Sequence, residues 1–74
     1  MKVLDTVILV KELPDLGLHR GDIGAVVEVY EPDGLEVEFV TASGRTQALV
    51  TLKRSDVRVA ADTDILTVRS QDAA

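Results

Sequence analysis

The sequence predicts an all-β domain, a small barrel of five short strands, and three observations carry that expectation. In Arg20-Gly21-Asp22-Ile23-Gly24-Ala25 two glycines stand three apart, directly ahead of the valine-rich run Val26-Val27-Glu28-Val29. Such a pair lets a chain turn into a strand where positive φ or backbone crowding would penalise other residues. Glu31-Pro32-Asp33-Gly34 then parts that run from Leu35-Glu36-Val37-Glu38-Phe39-Val40, with proline at a preset φ and glycine where a left-handed residue is usual. In the second run Leu35, Val37 and Phe39 alternate with Glu36 and Glu38, the period-two pattern of a strand with one wet face.

Residues 4–10 are rich in β-branched side chains and form the first expected strand. Pro14, Gly17 and Gly21 interrupt any helical period, so residues 16–22 are a loop. Residues 25–30 and 35–40 are the second and third strands, joined by the hairpin turn at Pro32 and Gly34. Thr41-Ala42-Ser43-Gly44-Arg45 makes the next turn, and residues 46–52 make the fourth strand. Lys53-Arg54-Ser55-Asp56 reads as a single tight 3₁₀ turn before a fifth strand over 57–59. Gly21, Gly24, Pro32, Gly34 and Gly44 are the turn-forming positions of this scheme. Five short strands with one tight turn before the last is the order of an SH3-like barrel. The barrel is expected over residues 1–60, with 61–74 as a tail. Residues 65–68 have the β character for an extra C-terminal strand, added to this barrel or exchanged with a neighbour's, and the end beyond them is expected to fray.

At 74 residues the chain makes one domain, near the size at which a core can stand alone, since about 60 residues bury only roughly 60% of their unfolded surface. Hydrophobic residues are 46% of the chain but aromatic ones 3%, Tyr30 and Phe39, so the core must be built from Val, Leu, Ile and Ala. The absence of cysteine excludes disulfides and thiolate metal sites. A small chain without such staples gains burial by associating. Met1-Lys2-Val3-Leu4-Asp5 opens no long uncharged apolar run, so neither a signal peptide nor a membrane span is expected, and the cytoplasm is the expected compartment. Eight Lys and Arg against thirteen Asp and Glu leave a net charge of −5, which repels phosphate backbones and disfavours nucleic acid as a partner.

The segments Leu4-Asp5-Thr6-Val7, Leu13-Pro14-Asp15-Leu16-Gly17-Leu18, Arg20 to Glu28, Leu35 to Phe39, Gly44-Arg45-Thr46 and Leu49-Val50-Thr51-Leu52 together resemble a bacterial family, domain of unknown function 4926. The resemblance runs from Met1 to Val59 and leaves the tail outside. It implies an SH3-like barrel, similar in outline to the C-terminal barrel of the nitrile hydratase β subunit, with a tendency to dimerise by strand exchange and no established activity. The glycine pattern over Gly21 to Val29 is also similar to the KOW motif of ribosomal and transcription proteins. That motif sits on basic surfaces, whereas Asp22, Glu28, Glu31, Asp33, Glu36 and Glu38 make this hairpin acidic.

Chemistry-bearing residues are sparse. His19 is the only histidine, and without cysteine it supplies neither a ligand set nor an oriented base, so it reads as a loop-bracing residue. Glu36 and Glu38, with Glu28 across the hairpin, share a face as paired carboxylates do in glycosidases and hard-metal sites. Charges on the wet face of a strand also blunt aggregation, and that reading is the stronger. No phosphate loop, Ser/His/Asp set or dinucleotide fingerprint is present, so no catalytic residue, cofactor or metal is assigned.

Strands one and four place apolar residues on both faces, Val7 to Val10 in one and Ala48, Leu49, Val50 and Leu52 in the other. Either residues 13–19 and the tail cover the second face, or another chain does. The expected function is a non-enzymatic interaction module, a homodimer or the binder of a partner protein encoded nearby that it restrains or stabilises, with Val7, Leu9, Leu49, Ile65 and Leu66 as contacts. The alternatives are a nucleic-acid-binding barrel using Arg20, Arg45, Lys53 and Arg54, and an accessory subunit of an enzyme.

Overall fold

The computed structural model describes residues 1–66 and 68–70. Five antiparallel strands form one sheet: β1 (Thr6–Leu9), β2 (Ile23–Tyr30), β3 (Gly34–Val40), β4 (Thr46–Lys53) and β5 (Val57–Val59). Their order is β4-β3-β2-β1-β5, that of an SH3-like barrel. The other regular pieces among the described residues are two 3₁₀ turns, Pro14–Leu16 and Arg54–Asp56. The second stands where Lys53 to Asp56 predicts it; the first precedes the loop expected over 16–22 and overlaps it only at Leu16. Proline opens that first turn and Gly17, at φ 69°, closes it by donating its N–H to the Pro14 carbonyl.

The sheet curls because β2 divides its partners. Its start pairs with β1 through Thr6↔Ala25, Val7↔Gly24 and Ile8↔Ile23, while Ala25 through Tyr30 pairs with β3. Gly24 sits at this division, where a Cβ would stand 2.7 Å from Val37 Cγ1 and 3.0 Å from both Glu38 O and Phe39 Cδ1. Glycine is therefore required by close approach, not by a turn. Val27 is the extra residue of a bulge between the pairs Val26↔Val37 and Glu28↔Glu36. The bulge lets Val26 and Val29 face inward while Glu28 stays in water.

Among the described residues nine buried side chains make the core: Val7, Leu9, Leu18, Val26, Leu35, Val37, Phe39, Leu52 and Val57. Leu13, Val29, Ala48 and Val50 close its margins. Phe39 is its one aromatic member, since Tyr30 is exposed. In β4 the expected two-faced pattern reduces to one residue, because Ala48, Val50 and Leu52 face inward and only Leu49 turns out. In β1 the outward residue is Ile8, which is nonetheless buried. It lines a crevice of about 150 Å³ with Ile23, Arg58, Asp64, Ile65 and Leu66, so the tail covers this part of the second face.

Several sequence expectations are corrected. The first strand begins at Thr6 because Lys2 to Asp5 form a turn, in which Asp5 N–H donates to Lys2 O (3.1 Å) and Lys2 N–H to Asp5 Oδ2 (2.9 Å). Leu4 lies in that turn at φ 76°, a left-handed conformation that L side chains resist. Gly34 is not the left-handed residue of its hairpin; Gly17, Gly21 and Gly44 hold positive φ, and the Glu31–Pro32 peptide is cis. Gly34 is needed for another reason, since a Cβ there would come 3.2 Å from Cβ of Tyr30, its ladder partner. Within this single chain Ile65, Leu66 and Val68 lie outside the five strands, while Thr67 of the expected added or exchanged strand and the end expected to fray at 71–74 lie outside the described residues.

Gly24→Ala should lower the free energy of unfolding by about 1–3 kcal/mol through overpacking against Val37 and Phe39, read as an earlier midpoint in urea; an unchanged midpoint refutes the close-approach argument. Leu4→Asn should act in the opposite sense, raising stability by about 0.5–1 kcal/mol, because asparagine enters the left-handed region more readily.

Candidate functional site

Two surfaces stand apart from the core. The first is the outer face of β2, β3 and β4, where strand alternation places Glu28, Tyr30, Glu36, Glu38, Leu49 and Thr51. Glu28 lies directly opposite Glu36, Glu36 opposite Thr51, and Glu38 opposite Leu49. Thr51 Oγ1 donates to Glu36 Oε1 at 2.7 Å and Thr46 Oγ1 to Glu38 Oε2 at 2.8 Å. Two of the three carboxylates are thus drawn toward hydroxyls on β4 and not toward a shared ion. Among the described residues no group of three or more His, Cys, Asp or Glu gathers as a metal site. Desolvation, then Glu36 and Glu28, push the Tyr30 phenol above its ordinary value. Leu49 is 57% exposed in this face and Val40, on β3, 52%. Among the described residues β4 pairs only with β3, so its other edge is free.

The second surface is the loop between β1 and β2 together with the tail. Leu18 is buried in the core and bridges to Leu13, which closes the loop around the first 3₁₀ turn. Glu12 accepts bonds from His19 Nδ1 (2.9 Å) and Arg20 N–H (2.8 Å), and Arg20 Nε donates to Val10 O (3.1 Å). Asp22 Oδ2 accepts the His19 N–H at 2.8 Å. Arg69 of the tail reaches this braced loop: its Nε donates to Asp22 Oδ1 (2.8 Å), and its Nη2 to Asp22 Oδ2 (2.5 Å) and the Gly17 carbonyl (2.9 Å). Nearer the barrel Arg58 grips Asp64 through two bonds of 2.9 and 2.8 Å, and Asp64 also accepts the Ala61 N–H at 2.6 Å. A groove of about 580 Å³ lies between the loop, the β3–β4 turn and Val68 to Ser70.

The electrostatics follow the bonds. Burial acts to raise the Asp22 carboxyl, but the Arg69 guanidinium and the His19 N–H outweigh it and hold the group below its ordinary value. The Arg20 N–H, with His19, holds Glu12 low against a smaller desolvation effect. The hydrogen bonds from Arg58 and then from Ala61 lower Asp64 to about 2.

The residues expected as contacts do not come together. Val7 and Leu9 are fully buried in the barrel's own core, and thus offer no surface. Leu49 lies on the outer face of β4, while Ile65 and Leu66, 89% and 58% exposed, lie by the crevice over Ile8. His19 braces its loop, as its sequence context predicts. The basic residues named for nucleic acid are scattered: Arg20 is in the loop, and Arg45 and Lys53 stand at opposite ends of β4, about 26 Å apart at the rise of a strand. Asp22 and Arg69 are the residues that sequence reasoning missed as a pair. They stand 47 positions apart, and no local pattern joins them.

Compared with known proteins, the chain matches the family model described as "Domain of unknown function (DUF4926)" over residues 3–59. That span is most of the chain and contains all five strands, so the chain belongs to this family. No curated protein and no solved structure matches it.

A carboxyl whose folded pKa is depressed stabilises above its unfolded pKa and loses that contribution as pH falls through the folded value. The Arg58–Asp64 clasp should therefore hold at neutral pH and release as pH falls toward 2. A ¹³C titration of the Asp64 carboxyl should show a midpoint of about 2 in the parent, moving toward 3.8 in Arg58→Gln. A parent midpoint already at 3.8 refutes the clasp.

Proposed function

We propose that this DUF4926 protein is a non-enzymatic protein-interaction module of the cytoplasm that works as a homodimer, joined along β4. The observation that carries this reading is the conjunction, in one strand, of a free backbone edge and an exposed leucine. β4 spans Thr46–Lys53 with its outer edge unpaired among the described residues, and Leu49 stands at its middle, 57% exposed. A free edge is a template for another strand. When two β4 strands meet antiparallel about a two-fold axis, each edge supplies the donors and acceptors the other lacks, and the two Leu49 side chains shield one another. The small aliphatic core gives such association a thermodynamic reason, because a second copy adds apolar burial that the chain cannot supply alone.

The groups with catalytic potential support the non-enzymatic side of the reading. Glu36 and Glu38, the paired carboxylates, are each held by a threonine hydroxyl of β4.

Leu49→Asp tests the proposal. Losing about 1.5 kcal/mol of apolar burial per copy, or about 3 kcal/mol per dimer, should weaken association by about 100-fold while the folded monomer persists. Sedimentation and light scattering over a concentration series, with circular dichroism to confirm the fold, read the result. A parent that stays monomeric throughout, or a Leu49→Asp chain that associates like the parent, refutes it.

A further inference from the structure

The Arg69 contact lies beside the start of β4, where Gln47 borders the same groove, and has features of a receptor and its ligand. The receptor half is braced by bonds that do not involve Arg69. Gly17 is fixed at φ 69° behind the first 3₁₀ turn, Leu18 beside it is rooted in the core, and the Asp22 carboxylate is oriented by the His19 N–H at 2.8 Å. Together they present three acceptors, Asp22 Oδ1, Asp22 Oδ2 and Gly17 O, to one guanidinium. Glu12, on the same loop, adds negative charge that Arg69 feels. A fork of this kind suits the planar donors of arginine and not the single ammonium of lysine.

Beside this fork the groove has an apolar floor of Leu18, Ile23, Phe39 and Val40. Its volume of about 580 Å³ is open with Val68, Arg69 and Ser70 already in place, and it falls in the range of about 300–1,000 Å³ typical of ligand sites. Among the described residues the tail therefore fills the charged end of the site and leaves the apolar end open.

The geometry points to an arginine receptor: the groove takes an extended segment of a partner protein that carries an aliphatic residue followed by arginine, and the chain's own Val68-Arg69 stands in for that segment in the free protein. The partner's arginine replaces Arg69 on Asp22 and Gly17, its flanking side chains enter the apolar end, and the displaced tail stays tethered through Arg58 and Asp64. A tethered occupant competes at an effective concentration in the millimolar range. The partner prevails by contacts in the part of the groove that the tail leaves open. This inference rests on the reading of the chain as an interaction module, but its groove meets β4 at Gln47 and does not include Leu49.

The test uses the full chain carrying Arg69→Ala, which vacates the fork, labelled with ¹⁵N and titrated with a synthetic peptide of residues 64–70, Asp-Ile-Leu-Thr-Val-Arg-Ser. Saturable shifts at the Gly17 and Asp22 amides are expected, with binding at least tenfold weaker when the peptide's arginine is replaced by lysine or alanine. The parent chain, whose own tail competes, should bind the peptide at least tenfold more weakly than Arg69→Ala. Substitution within the peptide leaves the protein untouched, so misfolding cannot imitate the result. Equal binding of the alanine peptide, or no binding to Arg69→Ala, overturns the proposal. If Arg69→Ala instead turns a dimeric parent into a monomer, the occupant is a second copy's tail, and the proposal of a foreign segment falls. Adding Leu49→Asp to Arg69→Ala should leave the titration unchanged, which keeps this outcome separate from that of the β4 interface.

Discussion

The contact of Gly24 with Val37 and Phe39 is the constraint on which the rest of the structure depends. β2 is the strand that both β1 and β3 pair with, and it must bend for the sheet to enclose a core. The bend brings the β2 backbone onto side chains of β3, at distances where a Cβ would overlap Val37. The missing methyl group lets Val26, Val37 and Phe39 share one interior with Val7 and Leu9 from β1. With almost no aromatic bulk, that interior is completed by whatever the loops bring. Leu18 comes from the braced loop, and Val57 follows the turn whose Arg54 N–H bonds to Asp33 O at 2.8 Å in the β2–β3 hairpin. Among the described residues β4 and β5 are the two edges of the sheet.

Most of the fold is legible in the residues, and the reasons it is legible are local. Clean alternation from Leu35 to Phe39 identifies β3, and the tight turn over Arg54 to Asp56 follows from polar residues packed between two apolar runs. The errors arise where a specific contact, near or distant in sequence, overrides residue type. Leu4 has strand chemistry, but the Asp5 carboxylate accepts the Lys2 N–H and closes a turn there. Gly34 looks like a left-handed turn residue and is instead kept bare by Tyr30, its partner across the hairpin. Consecutive apolar residues in β1 put apolar side chains on both faces and leave open whether the loop and tail or another chain covers the second. The structure puts Val7 and Leu9 inside and covers Ile8 with the tail, a contact that no periodicity in β1 can announce. The candidate sites were less legible still. Leu49 is visible as an outward leucine once the register of β4 is known, whereas the fork on Asp22 needs a residue 47 positions away.

Two kinds of force hold the molecule, and they divide it. The barrel is held by apolar burial and backbone ladders, while the tail is held by the Arg58–Asp64 and Arg69–Asp22 pairs. Both are two-point guanidinium–carboxylate contacts whose arginines remain partly exposed, so solvent screens them in part and ordering two long side chains costs entropy. The residues that the tail adds, Ile65, Leu66 and Val68, remain largely exposed even in place. Its attachment therefore belongs to the low-stability end of the molecule, where segments open without unfolding the rest. An arrangement of this kind suits a site whose occupant changes: the receptor stays folded, and only the weakly held arm moves.

For the homodimer proposed above, the acidic row on the outer face bears on how two copies would approach. Glu38 lies directly opposite Leu49, and Glu36 and Glu28 continue the row across β3 and β2. Stacking two such faces would bring the carboxylates within the roughly 10 Å that separates packed sheets and strip water from like charges. Pairing along the edges avoids this. With strands spaced about 4.8 Å apart, β3 of one copy lies roughly 14 Å from β3 of the other, beyond the Debye length of about 8 Å at physiological salt. Repulsion between the rows is then largely screened, while the Leu49 side chains on the adjoining β4 strands come within contact. The charges that make the face a poor stacking surface leave its edge open, and so favour the edge as the direction of approach.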